Sequence, residues 1–298
     1  MKVFVLNCGS SSFKYKLYDL AQETVLADGK AERIGLDDAE FTHVPQGKGK
    51  QVETLPIKNH QQAIAKAIAA LTTGPDAVIG DVSEIDAVGH RVVSGGEYFS
   101  EPTLIDQRAK ELIDKCSELA PLHNPPAVAG IEAIEQLLPN TPQVAVFDTA
   151  FHSTMEPHAY LYALPYELYE KHNIRRYGYH GTSHKYVAMR AAELMDKPLS
   201  DLKIISCHLG NGASITAVKD GRCIDTSMGL TPLEGLIMGT RCGSIDPCIP
   251  LHLMEKLGLS VEECSDLLNK QSGMKGLSGV SHDMRDIEAA MEAGNQRA

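Results

Sequence analysis

The chain opens on a short apolar run, Val3 to Leu6, which reads as a buried strand broken at Asn7 and Gly9. After it Phe13, Tyr15 and Leu17 alternate with Ser12, Lys14 and Lys16, the two-residue period of a half-buried strand. Side chains two apart on a strand share a face, so Ser12 and Lys14 point the same way, with Asn7 and Ser10 at the turn. The pattern returns at Lys203 to Leu209, which ends on Gly210-Asn211-Gly212 and leads into an alternating segment, Ala213 to Lys219. Asp220-Gly221 then turns the chain into Arg222 to Thr226, a dipeptide that favours a tight hairpin. Two strand–glycine turn–strand units predict two related lobes, each offering a backbone-rich turn to a shared ligand.

Helical spacing fills the intervals. Asn59 to Thr73 carries Ile64, Ala67, Ile68 and Leu71 on one stripe and stops at Gly74-Pro75. Ile85 to Val93 reads as a strand. Asn124 is placed to cap a helix with Pro125 in its first turn and Ala127, Ile131, Ile134 and Leu138 inward. Gln143 to Phe147 reads as a fully buried strand ending in Asp148-Thr149, where a boundary divides residues 1–149 from 150–298. In the second part a helix is predicted from Ser183 to Asp196, with Val187, Ala191, Leu194 and Met195 inward. Further helices are predicted at Pro250–Leu257, at Val261–Lys270 and from Met284 onward. The last of these meets the end of the chain at Ala298 without a cap or closing strand, which suggests a C-terminal truncation.

Charge changes the picture. A net charge of −11 over 298 residues argues against sequence-independent nucleic-acid binding, which needs a basic face. In an acidic protein that binds an anion, individual arginines in motifs become more telling. No apolar run approaches the ~20 residues that span a bilayer. Seven scattered cysteines without a Cys-x-x-Cys pair fit a reduced, cytoplasmic chain.

Five places hold candidate chemistry. The first hairpin offers hydroxyls, an amide and a cation to one spot, which suits a polyphosphate; otherwise it is a surface hairpin with a Ser-rich turn. Arg91 and Val93 share a strand face, a guanidinium beside a small apolar side chain, as a short carboxylate with an alkyl tail would need. The alternative is an exposed edge-strand arginine. Asp148 closes a strand, where α/β sheets bind ligands, and suits Mg²⁺ held through water; it would otherwise cap the following turn. His180 and His184 have the spacing of a zinc pair but lack the intervening Glu. A His ahead of a helix capped by Thr182 or Ser183 would instead donate to an anion there. Arg241 sits in a glycine-bounded loop able to close over a ligand.

Together these stretches resemble the acetate kinase family, within the acetate and sugar kinase and actin superfamily. The match includes Asn7-Cys-Gly-Ser-Ser-Ser-Phe-Lys14, Gly89-His-Arg-Val-Val-Ser-Gly-Gly96, Pro121-Leu-His-Asn124 and Val146-Phe-Asp-Thr-Ala-Phe-His152. It continues through Arg176-Tyr-Gly-Tyr-His-Gly-Thr-Ser-His184, His208-Leu-Gly-Asn-Gly-Ala213, Asp225 to Gly235 and Met238-Gly-Thr-Arg241.

The resemblance implies an α/β, two-domain actin-like (ribonuclease H-like) ATPase fold with mixed sheets flanked by helices, its second domain incomplete. It implies reversible phosphoryl transfer between ATP and acetate, giving acetyl phosphate and ADP, with Mg²⁺ or Mn²⁺, in a cytoplasmic homodimer. Carried over by position, Ser10, Ser12 and Lys14 bind nucleotide phosphates with His208, Leu209, Gly210, Asn211 and Gly212. Asn7 and Asp148 place the metal. Arg91 and Arg241 bind acetate and the moving phosphoryl group, which His180 steadies with His123 nearby. Val93, Leu122, Tyr179 and Pro232 line the methyl pocket. Tyr179 stands where the family usually has Phe, so its hydroxyl is expected to narrow or polarise that pocket. Cys242 and Ser244 depart from the family's Arg-Ser-Gly-Asp loop. The rival expectations are a propionate or butyrate kinase and a non-catalytic phosphate-binding fragment.

Overall fold

A computed structural model describes residues 1–121 and 123–298, and its chain divides into two compact units, Met1–Ala150 and Phe151–Ala298. In the first unit, β1 (Lys2–Cys8) turns at Gly9 into antiparallel β2 (Ser12–Asp19), with Asn7 directly opposite Lys14. A meander continues through β3 (Thr24–Glu32), β4 (Ala39–Pro45) and β5 (Gln51–Leu55). Helix α1 (His60–Thr72) is capped by Asn59, whose side chain accepts from the Gln62 N–H at 2.9 Å, and it buries the predicted stripe. Then come β6 (Ala87–Val92), β7 (Thr103–Leu104), α2 (Gln107–Lys115), α3 (Asn124–Leu137) and β8 (Gln143–Phe147).

Strands β1, β6 and β8 run parallel, and the sheet order is β5-β4-β3-β2-β1-β6-β8-β7. This arrangement brings the carboxyl ends of three parallel strands side by side. Phe4, Leu6, Phe13, Tyr15 and Leu17 face α1 and α3 on the core side. Gly130 lets α3 approach β1 closely, since a Cβ there would sit 2.7 Å from Cys8 Sγ. The alternate residues, Val5, Asn7, Lys14 and Lys16, line the other face around a cavity of about 440 Å³.

Two expectations are corrected here. Strand β8 is buried on one side only, because helices cover one face and Val144 and Val146 are half-buried on the other. Asn124 lies inside α3, after His123, and is fully buried. Its amide accepts from Ser94 N–H at 3.0 Å and donates to the Ser94 carbonyl at 2.9 Å, so it clamps the turn after β6 rather than capping a helix.

The second unit begins with α4 (Pro157–Tyr160), α5 (Tyr166–His172) and α6 (Gly181–Leu194). The antiparallel meander β9 (Lys203–Leu209), β10 (Ala213–Lys219) and β11 (Arg222–Thr226) follows, in the order β11-β10-β9. Asp220 and Gly221 both take positive φ, +53° and +77°, the tight turn that the dipeptide predicts. An irregular loop over 227–247 leads into α7 (Cys248–Leu257), α8 (Val261–Asp266), a π-helical turn over Leu267–Gln271, α9 (Gly273–Ser278) and α10 (Met284–Glu292). Helix α6 reverses its predicted face. Its buried residues are Gly181, His184, Ala188 and Ala192, whereas Val187 is 45% and Leu194 80% exposed. Small side chains let it lie close on β9.

Candidate active site

In the first unit, three side chains meet at the carboxyl ends of β1, β6 and β8. Arg91 donates from Nε to Asp148 Oδ1 at 3.0 Å and from Nη2 to Oδ2 at 2.6 Å, the bidentate geometry a guanidinium offers a carboxylate. Its third nitrogen, Nη1, donates to Asn7 Oδ1 at 3.2 Å. Asp148 is almost wholly buried and Arg91 partly exposed. Burial works against the Arg91 charge, but the Coulomb pull and hydrogen bonds of Asp148 outweigh it and hold the pKa above its ordinary value. Both carboxylate oxygens of Asp148 thus accept from Arg91. Val93, two residues after Arg91 and just past the end of β6, is buried. Lys14 lies opposite Asn7 on the same sheet face; Ser10 is exposed at the turn, and Ser12 is partly buried beside Gly9. Leu122 lies outside the described residues.

In the second unit, the predicted residues gather at the head of α6. His180 immediately precedes the helix at φ +59°, a backbone state that non-glycine residues enter at a cost and that clusters at functional positions. Neither Thr182 nor Ser183 caps the helix; Ser183 Oγ instead sits 2.9 Å from His208 Nδ1. The rings of His180 and His208 stack at 4.0 Å. The Gly210-Asn211-Gly212 turn is closed by Gly210 N–H donating to the Gly212 carbonyl at 3.1 Å. A Cβ on Gly212 would lie 3.4 Å from both His180 Nε2 and Arg241 Nη1, so the turn, the imidazole edge and the guanidinium converge. Arg241 is held by one bond, Nη1 to the Pro232 carbonyl at 3.1 Å, and among the described residues it has no carboxylate partner. Burial lowers its pKa from the ordinary value. A desolvated guanidinium with donors to spare is a site for an anion.

Leu209 and Asn211 are exposed at this turn, and Asn211 accepts from Gly239 N–H at 2.9 Å. Tyr179 is buried, and its hydroxyl donates to the Leu230 carbonyl at 2.6 Å, so the extra oxygen is already committed to the loop that carries Pro232. His184 does not pair with His180 as metal ligands would. Its Nδ1 lies 3.0 Å from Ser206 Oγ and its Nε2 2.8 Å from Ser214 Oγ. Ser244 Oγ accepts from Gly235 N–H, which ties the departing loop together without the family's carboxylate.

Sequence reasoning missed the clamp behind Pro232. Arg176 donates to the carbonyls of Thr226, Ser227 and Met228 and to Glu234 Oε1 at 2.9 Å. Tyr162 donates to Glu234 Oε2 at 2.5 Å and accepts from Leu230 N–H at 2.9 Å. A charged pair spaced 58 residues apart leaves no local signal. Only the presence of Arg176 and Glu234 within two matched motifs hinted at it.

For a divalent ion, the donor set in the first unit is one carboxylate and one amide oxygen, each with a lone pair beyond its bond to Arg91. Such hard oxygen donors, few in number, fit an ion held largely by water and phosphate oxygens.

The model of the Acetokinase family matches residues 2–298. An acetate kinase of Caldanaerobacter subterraneus subsp. tengcongensis is 58% identical over 299 residues, covering all of this chain and 75% of that relative. The crystal structure of Porphyromonas gingivalis acetate kinase superposes with a TM-score of 0.94 at 48% identity, covering 99% of this chain and 74% of that one. A propionate kinase from Francisella tularensis subsp. tularensis gives 0.93 at 45% identity, with coverage of 99% and 74%. The fold is thus that of the actin-like ATPases, and the chain spans about three quarters of the length of these relatives.

Proposed function

The chain belongs to the acetokinase family, and on that premise we propose that it transfers a phosphoryl group reversibly between ATP and acetate, yielding acetyl phosphate and ADP. The observation that carries this reading is Arg241, a partly buried guanidinium that has no carboxylate partner among the described residues and is set beside His180 Nε2 at a glycine turn.

Acetate is ionised at neutral pH, since a carboxyl pKa is near ~4, so the nucleophile needs no general base. The obstacle is one anion attacking another. Arg241 and His180 offset that repulsion in the second unit, and an arginine in this role is worth about 10³–10⁵ in rate. In the first unit Arg91 is fixed by Asp148 and Asn7 and keeps its partly exposed surface for the acetate carboxylate, with Val93 against the methyl group. Ser10, Ser12 and Lys14 contact nucleotide phosphates from the first turn. His208, Leu209, Gly210, Asn211 and Gly212 do so from the second, where amide N–H groups approach phosphate oxygens closely. Asp148 and Asn7 would hold Mg²⁺ through water, and the ion, when bound, neutralises charge on the phosphates. Tyr179 and Pro232 shape the pocket beside Arg241, which favours acetate over longer chains. A cytoplasmic homodimer completes the reading.

Coupled assay of ADP release with acetate and MgATP, with acetyl phosphate trapped as the hydroxamate, tests it. Both products are expected, with kcat/KM falling from acetate to propionate to butyrate. Absence of both products rejects the proposal.

A further inference from the structure

Below His180 a line of hydrogen bonds runs into the second unit. Ser206 Oγ lies 3.0 Å from His184 Nδ1, His184 Nε2 lies 2.8 Å from Ser214 Oγ, and Ser214 Oγ lies 2.9 Å from His180 Nδ1. Ser206, His184 and Ser214 are all buried. A neutral imidazole has one N–H and one lone pair to offer in the ring plane, and a hydroxyl has a single hydrogen. Were both rings to donate to Ser214, its own hydrogen would lack an acceptor among the described residues, so the hydrogens along the line all point one way, toward His180 or toward Ser206.

The two directions are not equivalent. If they point toward Ser206, that hydroxyl accepts from His184 and its own hydrogen needs another acceptor. Among the described residues Ser206 Oγ has no partner besides His184. A buried donor would then be left unsatisfied, which native structures avoid. In the other direction every hydrogen is used. Ser206 donates to His184 Nδ1, His184 Nε2–H donates to Ser214, and Ser214 donates to His180 Nδ1. The proton of His180 then resides on Nε2, the edge that lies with Arg241 Nη1 around Gly212.

We propose that Ser206, His184 and Ser214 are positioning residues that lock His180 as its Nε2–H tautomer, so that it meets the phosphoryl oxygens as a hydrogen-bond donor. The assignment rests on the phosphoryl-transfer reading above. His184 fills this part as a neutral ring, and burial, reinforced by His152, His180 and His208, pushes its pKa down to about 3. The stacked His208 ring holds the plane of His180, and Ser214 sets which nitrogen carries the proton.

The test uses the whole chain labelled with ¹⁵N-histidine and long-range ¹H–¹⁵N correlation, which separates the two tautomers. His180 is picked out of the twelve histidines by the signal lost in His180→Asn. In the unsubstituted protein His180 is expected as Nε2–H alone. Ser214→Ala is expected to give mixed tautomers and a kcat lowered about 10–100-fold, with the acetate KM nearly unchanged. Ser214→Thr, which keeps the hydroxyl, is expected to restore both. A proton found on Nδ1 of the unsubstituted protein overturns the proposal without need of any variant. So does Ser214→Ala with unaltered kcat. If the unsubstituted protein fails to phosphorylate acetate, the functional reading falls, while the spectrum still decides the tautomer.

Discussion

Arg91 and Arg241 carry the same charge in opposite circumstances. The first is neutralised by Asp148 and steadied by Asn7; the second has a single backbone carbonyl and no counter-ion among the described residues. Arg241→Lys keeps the charge but loses the planar fork, and kcat/KM for acetate is expected to fall about 10²–10³-fold in steady-state assays. The clamp behind Pro232 acts on stability. Glu234→Gln leaves Arg176 without its carboxylate in a mostly buried setting, and urea denaturation is expected to show a loss of about 1–3 kcal/mol. At this scale the sequence was a mixed guide. Motifs exposed the arginines and histidines, because each stands among glycines and hydroxyls that favour anions. They did not expose Ser214 or the Tyr162–Glu234–Arg176 clamp, whose partners meet only after folding. Nor did they show that Asn124 turns inward to Ser94.

Among the elements, strands and their turns were the most legible. Alternation placed β2 and β10, and Asp220-Gly221 forced a turn that few other dipeptides adopt. Helix α6 misled because its apolar residues outnumber those it buries. The face against β9 buries His184, Ala188 and Ala192, where close packing leaves little room for added volume. Ala188→Leu is therefore expected to cost about 1–3 kcal/mol by overpacking, whereas Val187→Lys should stay within about 0.5 kcal/mol, both read from urea midpoints. Composition cannot distinguish those two alanine and valine positions; only the neighbouring sheet can.

For the molecule as a whole, buried histidines couple stability to acidity. Burial pushes the pKa of His90 down to about 4 and that of His184 to about 3, below the ordinary 6.5. The folded state then binds fewer protons than the unfolded one, so their stabilisation is complete above about pH 6.5 and is lost as the pH falls toward 4. His90 alone accounts for about 3 kcal/mol over that window, and the urea midpoint is expected to drop steadily from pH 7 to pH 4.5. Thiols report packing in a similar way. Cys207 and Cys248 are exposed, while burial pushes Cys8, Cys116 and Cys223 up to about 12. A colorimetric disulfide reagent should titrate Cys207 and Cys248 quickly in the native protein and reach the other three only after unfolding.

Strand β9 pairs with β10 on one side, and no described strand lies on the other. Its peptide groups along that border pair with no other strand among the described residues, and Ile205 and Leu209 stand exposed nearby. A row of this kind is a template that a neighbouring molecule can copy. Concentrated solutions should accordingly grow heavier by light scattering as hours pass, and a single cation at Ile205→Lys should keep the particles small.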